Sequence, residues 1–237
     1  MTIRIAAGPI GRFEDDFSAF RNDIVREAHL TAVSRARFEG ICLNPSSARD
    51  AACVHAALAR HGLAFLPPTH SVTLTRRSAD DASTELQRHV RAARSLGATE
   101  LTVCEAGCTV MSEADWQRFG TRLSALAATF AESGVRLVYR PRKGTIVAVA
   151  EDIDKLVAVT DPRVGLMLDA DVLGGDLVDI ARRHAQRVAI VAPGAQSRDV
   201  MAVLPAFRGW TVLDESAGHA PDRVDDLREV AGHLLAA

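Results

Sequence analysis

The sequence predicts one α/β domain, a (β/α)8 barrel with its chemistry at the carboxyl ends of the strands, and three observations carry that expectation. Short β-branched or apolar runs recur, each followed by a longer stretch with Ala, Leu and Val at helical spacing among charged residues. The unit repeats eight times in 237 residues, the usual size of a one-domain barrel. The turn after the first strand, AAGPIGR, lacks the GxGxxG spacing of a nucleotide-binding open sheet, which sets the doubly wound rival aside. Strands that alternate with helices pair in parallel, because a parallel connection needs a crossover and a helix supplies it.

Residues 3–7 (IRIAA) read as the first strand and Glu14 to Ala32 as its helix, with Phe17, Phe20, Ile24 and Ala28 on one stripe. Gly40 to Leu43 is the second strand; the turn Asn44-Pro45-Ser46-Ser47 then offers a serine cap to a helix ending at His61. Leu63 to Leu66 is the third, stopped at Pro67-Pro68 because proline cannot donate to a ladder. Its helix runs from Asp80 to Leu96, with Gly97 as the carboxyl-terminal cap. The fourth strand is Glu100 to Cys104, with a helix from Glu113 to Glu132 that stops before Gly134. Val135 to Arg140 is the fifth, followed by a helix with Asp152 to Val159 at its core and Glu151 and Asp152 against its positive end. The sixth strand, Gly165 to Asp169, precedes a helix at Asp176 to His184. The seventh, Arg187 to Val191, precedes one at Arg198 to Leu204, and the eighth, Trp210 to Leu213, precedes Val224 to Leu235.

A hydrophobic content of 48% is enough for one large core, and 28 Lys and Arg against 30 Asp and Glu leave a formal charge of -2. No overall basic field exists to hold nucleic acid or an anionic membrane, so a small molecule is the expected partner. No apolar run approaches the roughly 20 residues of a membrane span, and the amino terminus lacks a signal core, which predicts a cytoplasmic protein. The cysteines Cys42, Cys53, Cys104 and Cys108 form no paired framework, and Cys104 and Cys108 have no second Cys/His pair nearby for a structural zinc.

In the segment GVRLVYRPRKGTIVAVAEDIDKLVAVTDPRVGLMLDAD, and again in RAARSLGATELTV and FRGWTVLDES, the chain resembles the xylose-isomerase-like TIM barrels, the sugar phosphate isomerase/epimerase and inosose dehydratase group. The resemblance runs over nearly the whole chain. It implies a sugar, polyol or keto-acid isomerase, epimerase or dehydratase, commonly a homodimer, in which two glutamates, an aspartate and a histidine hold a divalent ion such as Mn or Mg. Position by position, that pattern is broken here. The glutamate after the fifth strand falls on Ala148, the histidines of the seventh strand on Ile190 and Ala192, and a second-strand glutamate on Cys42. Asp169 keeps the aspartate, and Asp214 stands for the last glutamate. Two carboxylates are too few for a tight all-protein site.

Where the resemblance implies YHNH, this chain reads Tyr139-Arg140-Pro141-Arg142, followed by Lys143. Alternation puts Arg140 and Arg142 on one side of the strand, and a guanidinium cannot shed its proton to make room for a metal. The expectation is therefore a barrel with no metal cofactor, a weakly bound divalent metal such as Mn or Mg being the alternative, in which Arg140, Arg142 and Lys143 bind an anionic or polyhydroxylated substrate. Asp169 or Asp214 transfers the proton; His70, just after the third strand, is a further acid/base candidate, and Glu105 at the end of the fourth strand a substrate contact. Plainer readings stand beside these: an Arg140–Asp169 structural ion pair, a loop-bonding Asp214, solvated Arg142 and Lys143, a loop His70 and an exposed Glu105. Cys42 reads as an inert thiol and His219 as a surface histidine. A non-catalytic descendant that binds a metabolite or partner through the same mouth is the rival function.

Overall fold

A computed structural model describes residues 4–8, 23–43, 48–107 and 110–213. In chain order these hold β1 (Arg4–Ala7), α1 (Asp23–Arg35), β2 (Gly40–Cys42), α2 (Ala48–His61), β3 (Ala64–Leu66), β4 (His70–Val72), α3 (Ala79–Ser95), β5 (Glu100–Glu105) and α4 (Glu113–Glu132). Then follow β6 (Arg136–Tyr139), α5 (Ala150–Val159), β7 (Gly165–Asp169), α6 (Ala170–Leu173), α7 (Leu177–Arg183), β8 (Val188–Ala192), α8 (Ser197–Val203) and β9 (Trp210–Leu213). Every strand pair is parallel, in the order β3-β2-β1-β9-β8-β7-β6-β5-β4, so the sheet curls into a barrel wall with β3 and β4 at its two edges.

The expected barrel is present, with one difference: its third strand is two short ones. Pro67 and Pro68 carry no N–H, so the ladder breaks there. Before the break β3 pairs with β2, and after it β4 pairs with β5. The seam between the two edges is a break in the hydrogen-bonded wall.

Two apolar cores result from strand alternation. Outward residues such as Leu101, Leu137, Leu166 and Val191 join the helices in a large sheet–helix core. Inward residues, among them Ala6, Val138, Met167, Ile190, Trp210 and Val212, form a smaller cluster inside the barrel. Trp210 lies across the foot, where the Arg4 guanidinium sits 3.6 Å from its ring centroid. Only a glycine fits opposite: a Cβ on Gly40 would stand 2.8 Å from Leu66 Cδ1 and 3.0 Å from the Trp210 ring.

The helices start as their sequences direct. Ser78 and Ser112 accept the N–H of Asp81 and Asp115, whose carboxylates return the bond to the cap backbone. Among the described side chains of α1, Leu30 and Val33 are buried, and Ala28, the one described member of the expected stripe, is exposed. The expected helix at 176–184 is present as α7, and α6 and a 3₁₀ turn at Gly174–Asp176 precede it without having been expected. Phe17, Phe20, the 44–47 turn, Cys108, Asp214, His219 and the last expected helix lie outside the described residues. No helix among the described residues is long and apolar enough to cross a membrane.

Candidate active site

A cavity of about 350 Å³ opens at the carboxyl end of the barrel and descends inside it. Its rim carries Arg140, Pro141, Arg142, Asp169 and Val172; its depth reaches Glu100 and Trp210. Glu100 is level with Arg136, four residues below Arg140, so at about 3.3 Å per residue the cavity is roughly 13 Å deep. Of the small inward residues on one wall, Cys42 lines the cavity, whereas Gly40 leaves room for the Leu66 side chain and the Trp210 ring that bound it. Pro67, Pro68, Thr69 and Ser71 bring the split third strand into the same wall.

Asp169, at the end of β7, is the buried charge of the rim, its side chain 4% exposed against 26% for Arg140. Arg140 Nη2 and Nε both donate to its Oδ2, at 2.6 and 3.2 Å. Its Oδ1 accepts the Asp171 N–H at 3.0 Å, which caps α6. Structure thus brings together Arg140 and Asp169 as the sequence expected, and adds Arg142 to the same cavity. Arg142 is exposed; its backbone is tied, its N–H to the Val147 carbonyl at 3.0 Å and its carbonyl to Thr145. Lys143 is exposed and is not part of the cavity lining, a correction to its grouping with the two arginines.

Two further expectations are corrected. In a parallel pair, residues level with one another share a face, and His70 is level with the outward Val103. Its ring therefore leaves the cavity and lies against His89 of α3, centroid to centroid 4.1 Å. Burial, with the neighbouring His89 and Arg88 charges, drops its pKa to about 4, so the imidazole is neutral at ordinary pH.

Glu105 likewise alternates away from the cavity and is fully buried. It accepts the Leu74 N–H at 2.9 Å and the Thr75 hydroxyl at 2.7 Å, tying down the loop after β4. Burial raises its pKa against the pull of those bonds. Arg122 of α4 completes the clasp by donating to the Leu74 and Thr75 carbonyls at 2.7 and 3.2 Å.

The inward face of β5 belongs to Glu100, Thr102 and Cys104, which sequence reasoning did not nominate. Ser71, level with Cys104, brings its Oγ to 3.7 Å from the thiol. The signal that finds them is register: Val103 lies level with Tyr139, so Cys104 shares the face of Arg140. For the divalent ion that the resemblance implies, the described donors do not fit. Arg140 is forked onto Asp169, Ala148, Ile190 and Ala192 offer no ligating atom, and no group of three His, Cys, Asp or Glu among the described residues is placed to hold a metal.

The sequence pattern of the family described as "Xylose isomerase-like TIM barrel" matches residues 24–190. The rhizopine catabolism protein MocC of Rhizobium meliloti is 30% identical over 207 residues, 79% of this chain and 63% of MocC. The chain therefore spans under two thirds of that relative. An inosose dehydratase of Geobacillus thermodenitrificans is 26% identical over 204 residues, 78% of this chain and 68% of its own. Among solved structures, AsbF of Bacillus anthracis, described as the "probable 3-DHS dehydratase" involved in petrobactin synthesis, superposes with a TM-score of 0.74 at 12% identity, over 97% of this chain and 99% of its own. D-psicose 3-epimerase of Clostridium cellulolyticum H10 gives 0.68 at 12%, over 99% and 97%. Barrel topology, the cavity at its carboxyl end and the match over residues 24–190 agree, and the chain belongs to the xylose isomerase-like TIM barrel family.

Proposed function

We propose that this chain is an isomerase, epimerase or dehydratase that moves a proton beside the carbonyl of a small anionic or polyhydroxylated substrate, with guanidinium groups rather than a divalent ion facing the reacting oxygens. The observation that carries the reading is the Arg140–Asp169 fork at the end of β7 on the cavity rim, where barrel enzymes keep their chemistry. The names of the relatives, inosose dehydratase among them, support the same reaction class.

The residues divide the work by charge. Arg142 and the outlying Lys143 attract an anionic substrate, and Arg142 can bind a carboxylate or phosphate bidentately. A guanidinium beside the carbonyl oxygen stabilises the enolate that forms when the adjacent C–H proton leaves. Asp169, or Asp214 on the sequence reading alone, accepts that proton. Its return to the opposite face gives an epimer, its return to the neighbouring carbon an isomer, and departure of a β-hydroxyl as water a dehydrated product. Cytoplasmic residence and a homodimeric state belong to this proposal too, resting on the absence of a paired cysteine framework and on the family likeness.

One observation favours the rival reading of a metabolite-binding barrel without turnover: both oxygens of Asp169 already accept hydrogen bonds. Incubation in D2O with inosose, D-psicose, 3-DHS and phenylpyruvate, followed by NMR, separates the two. The enzyme reading expects deuterium beside the carbonyl of at least one compound above the uncatalysed control, slowed by about 10²-fold or more in Asp169→Asn of unchanged circular dichroism. Compounds that raise the melting temperature without exchange or product refute turnover and support the binding barrel.

A further inference from the structure

The walls of the cavity say more about the substrate than the family does. A polyol needs a hydrogen-bonding partner for each hydroxyl it brings out of water, since an unpaired buried hydroxyl is destabilising. Below the rim this cavity is built the other way. Leu66, Met167, Ile190, Trp210 and Val212 supply its walls from four strands, and all five are at least nine-tenths buried. Hydroxyls come from Thr69, Ser71 and Thr102, and Ser71 Oγ is engaged with the Cys104 thiol.

Charge stands at the two ends of the depth, with the apolar walls between them. At the mouth stands Arg142, whose guanidinium has no ion-pair partner among the described residues. At the foot, roughly 13 Å below on strand spacing, the carboxylate of Glu100 lies level with Arg136, whose charge it opposes, and the Arg4 guanidinium covers the Trp210 ring. Arg142 thus holds an anionic group at the mouth, and the apolar stretch between mouth and foot receives the rest of the molecule. The available volume, about 350 Å³, is that of about a dozen waters, enough for one ring and a short side chain.

We infer that the substrate is a small carboxylic acid with an apolar or aromatic body, its carboxylate on Arg142 and its body inside the barrel between Met167, Ile190 and Trp210, and that polyhydroxylated sugars and cyclitols are poor ligands. This rests on the cavity being the substrate site, as proposed above, and narrows the substrate class of that same site.

Equilibrium binding, measured by calorimetry on the whole chain, tests the inference independently of turnover. The probes are 3-phenylpropanoate, its neutral isostere 3-phenylpropanol, and myo-inositol. The expected result is 3-phenylpropanoate bound at least tenfold more tightly than myo-inositol, a difference of about 1.4 kcal/mol. Arg142→Gln should weaken the acid about tenfold and leave the alcohol within twofold, since it removes the charge and not the apolar wall. In the reverse direction, Ile190→Asn should weaken both phenyl compounds while Arg142 still prefers the acid. The inference is overturned if myo-inositol binds as well as the acid, if no phenyl compound binds at millimolar concentration, or if Arg142→Gln leaves acid binding unchanged. The deuterium-exchange experiment stands apart from these results: exchange into inosose with no binding of the phenyl acid overturns the substrate class and leaves the reaction class intact.

Discussion

Truncation of Glu105 to Ala separates a structural carboxylate from a substrate-binding one. The side chain is fully buried, and its loss strands two donors, the Leu74 N–H and the Thr75 hydroxyl, now at 2.9 and 2.7 Å from its oxygens. Each unsatisfied buried donor costs about 1–3 kcal/mol, so the variant should lose roughly 2–6 kcal/mol, toward the lower end if Thr75 turns to water. With a urea slope of about 3 kcal/mol/M, the midpoint should fall by roughly 1–2 M. The charge gives a second signature. Because burial raises the folded-state pKa of Glu105, the native state binds more protons than the unfolded chain above about pH 4.3, and its contribution to stability declines as pH rises through the folded value. Glu105→Gln has no such decline, so its deficit relative to the parent should be largest near pH 4 and shrink toward pH 7. Urea unfolding of the three proteins at both pH values is the assay. A midpoint unchanged in Glu105→Ala, with weakened ligand binding instead, would refute the loop-clasp assignment and return Glu105 to the cavity.

Two other changes read different parts of the structure. His70, with its pKa near 4 against an ordinary value of about 6.5, makes the unfolded chain bind more protons between those limits, so stability should rise with pH across that window and His70→Gln should flatten the rise; NMR titration that finds the His70 imidazole half-protonated at pH 6.5 contradicts its burial against His89. Gly209→Ala places a Cβ 1.9 Å from the Ala189 carbonyl oxygen, a backbone clash at the entry to β9 that no rotamer relieves, and a melting temperature within a degree of the parent would contradict that contact.

The fold was legible because its signal is periodic. Eight apolar runs separated by amphipathic stretches reproduce the strands to within a residue or two, since both periods are written in the side chains. The split third strand was half legible: Pro67-Pro68 announced a stop, but the resumption at His70 depends on pairing with β5, which no local propensity encodes. Arg140 and Asp169 were legible as strand-end charges on adjacent strands. His70 and Glu105 were not, because a strand end names a place and not a face. One residue of register decides whether a side chain enters the cavity, and Cys104 and Ser71 occupy the inward positions beside them. The apolar interior was hidden for the same reason, since Met167, Ile190 and Trp210 become neighbours only when the sheet closes.

The charge placed at Asp169 carries one more consequence, for metal content. A divalent ion bonded to that carboxylate would stand within about 4–5 Å of a guanidinium that donates to the same oxygen at 2.6 Å. Two positive charges against one at that range repel by roughly 6–8 kcal/mol at an effective dielectric of 20, and the ion would need further ligands to offset it. Ala148, Ile190 and Ala192 provide none at the positions where the resemblance implies them. Protein purified without chelator and dialysed against metal-free buffer should therefore retain well under one Mn, Mg or Zn per chain. Arg140→Gln, which removes the repulsion and keeps Asp169, should bind Mn more tightly than the parent does, as read by paramagnetic relaxation of water. A stoichiometric ion held by the parent through dialysis would sink the reading, and so would an Arg140→Gln protein whose affinity for Mn is unchanged, because Arg140 would then be doing nothing to keep a cation out.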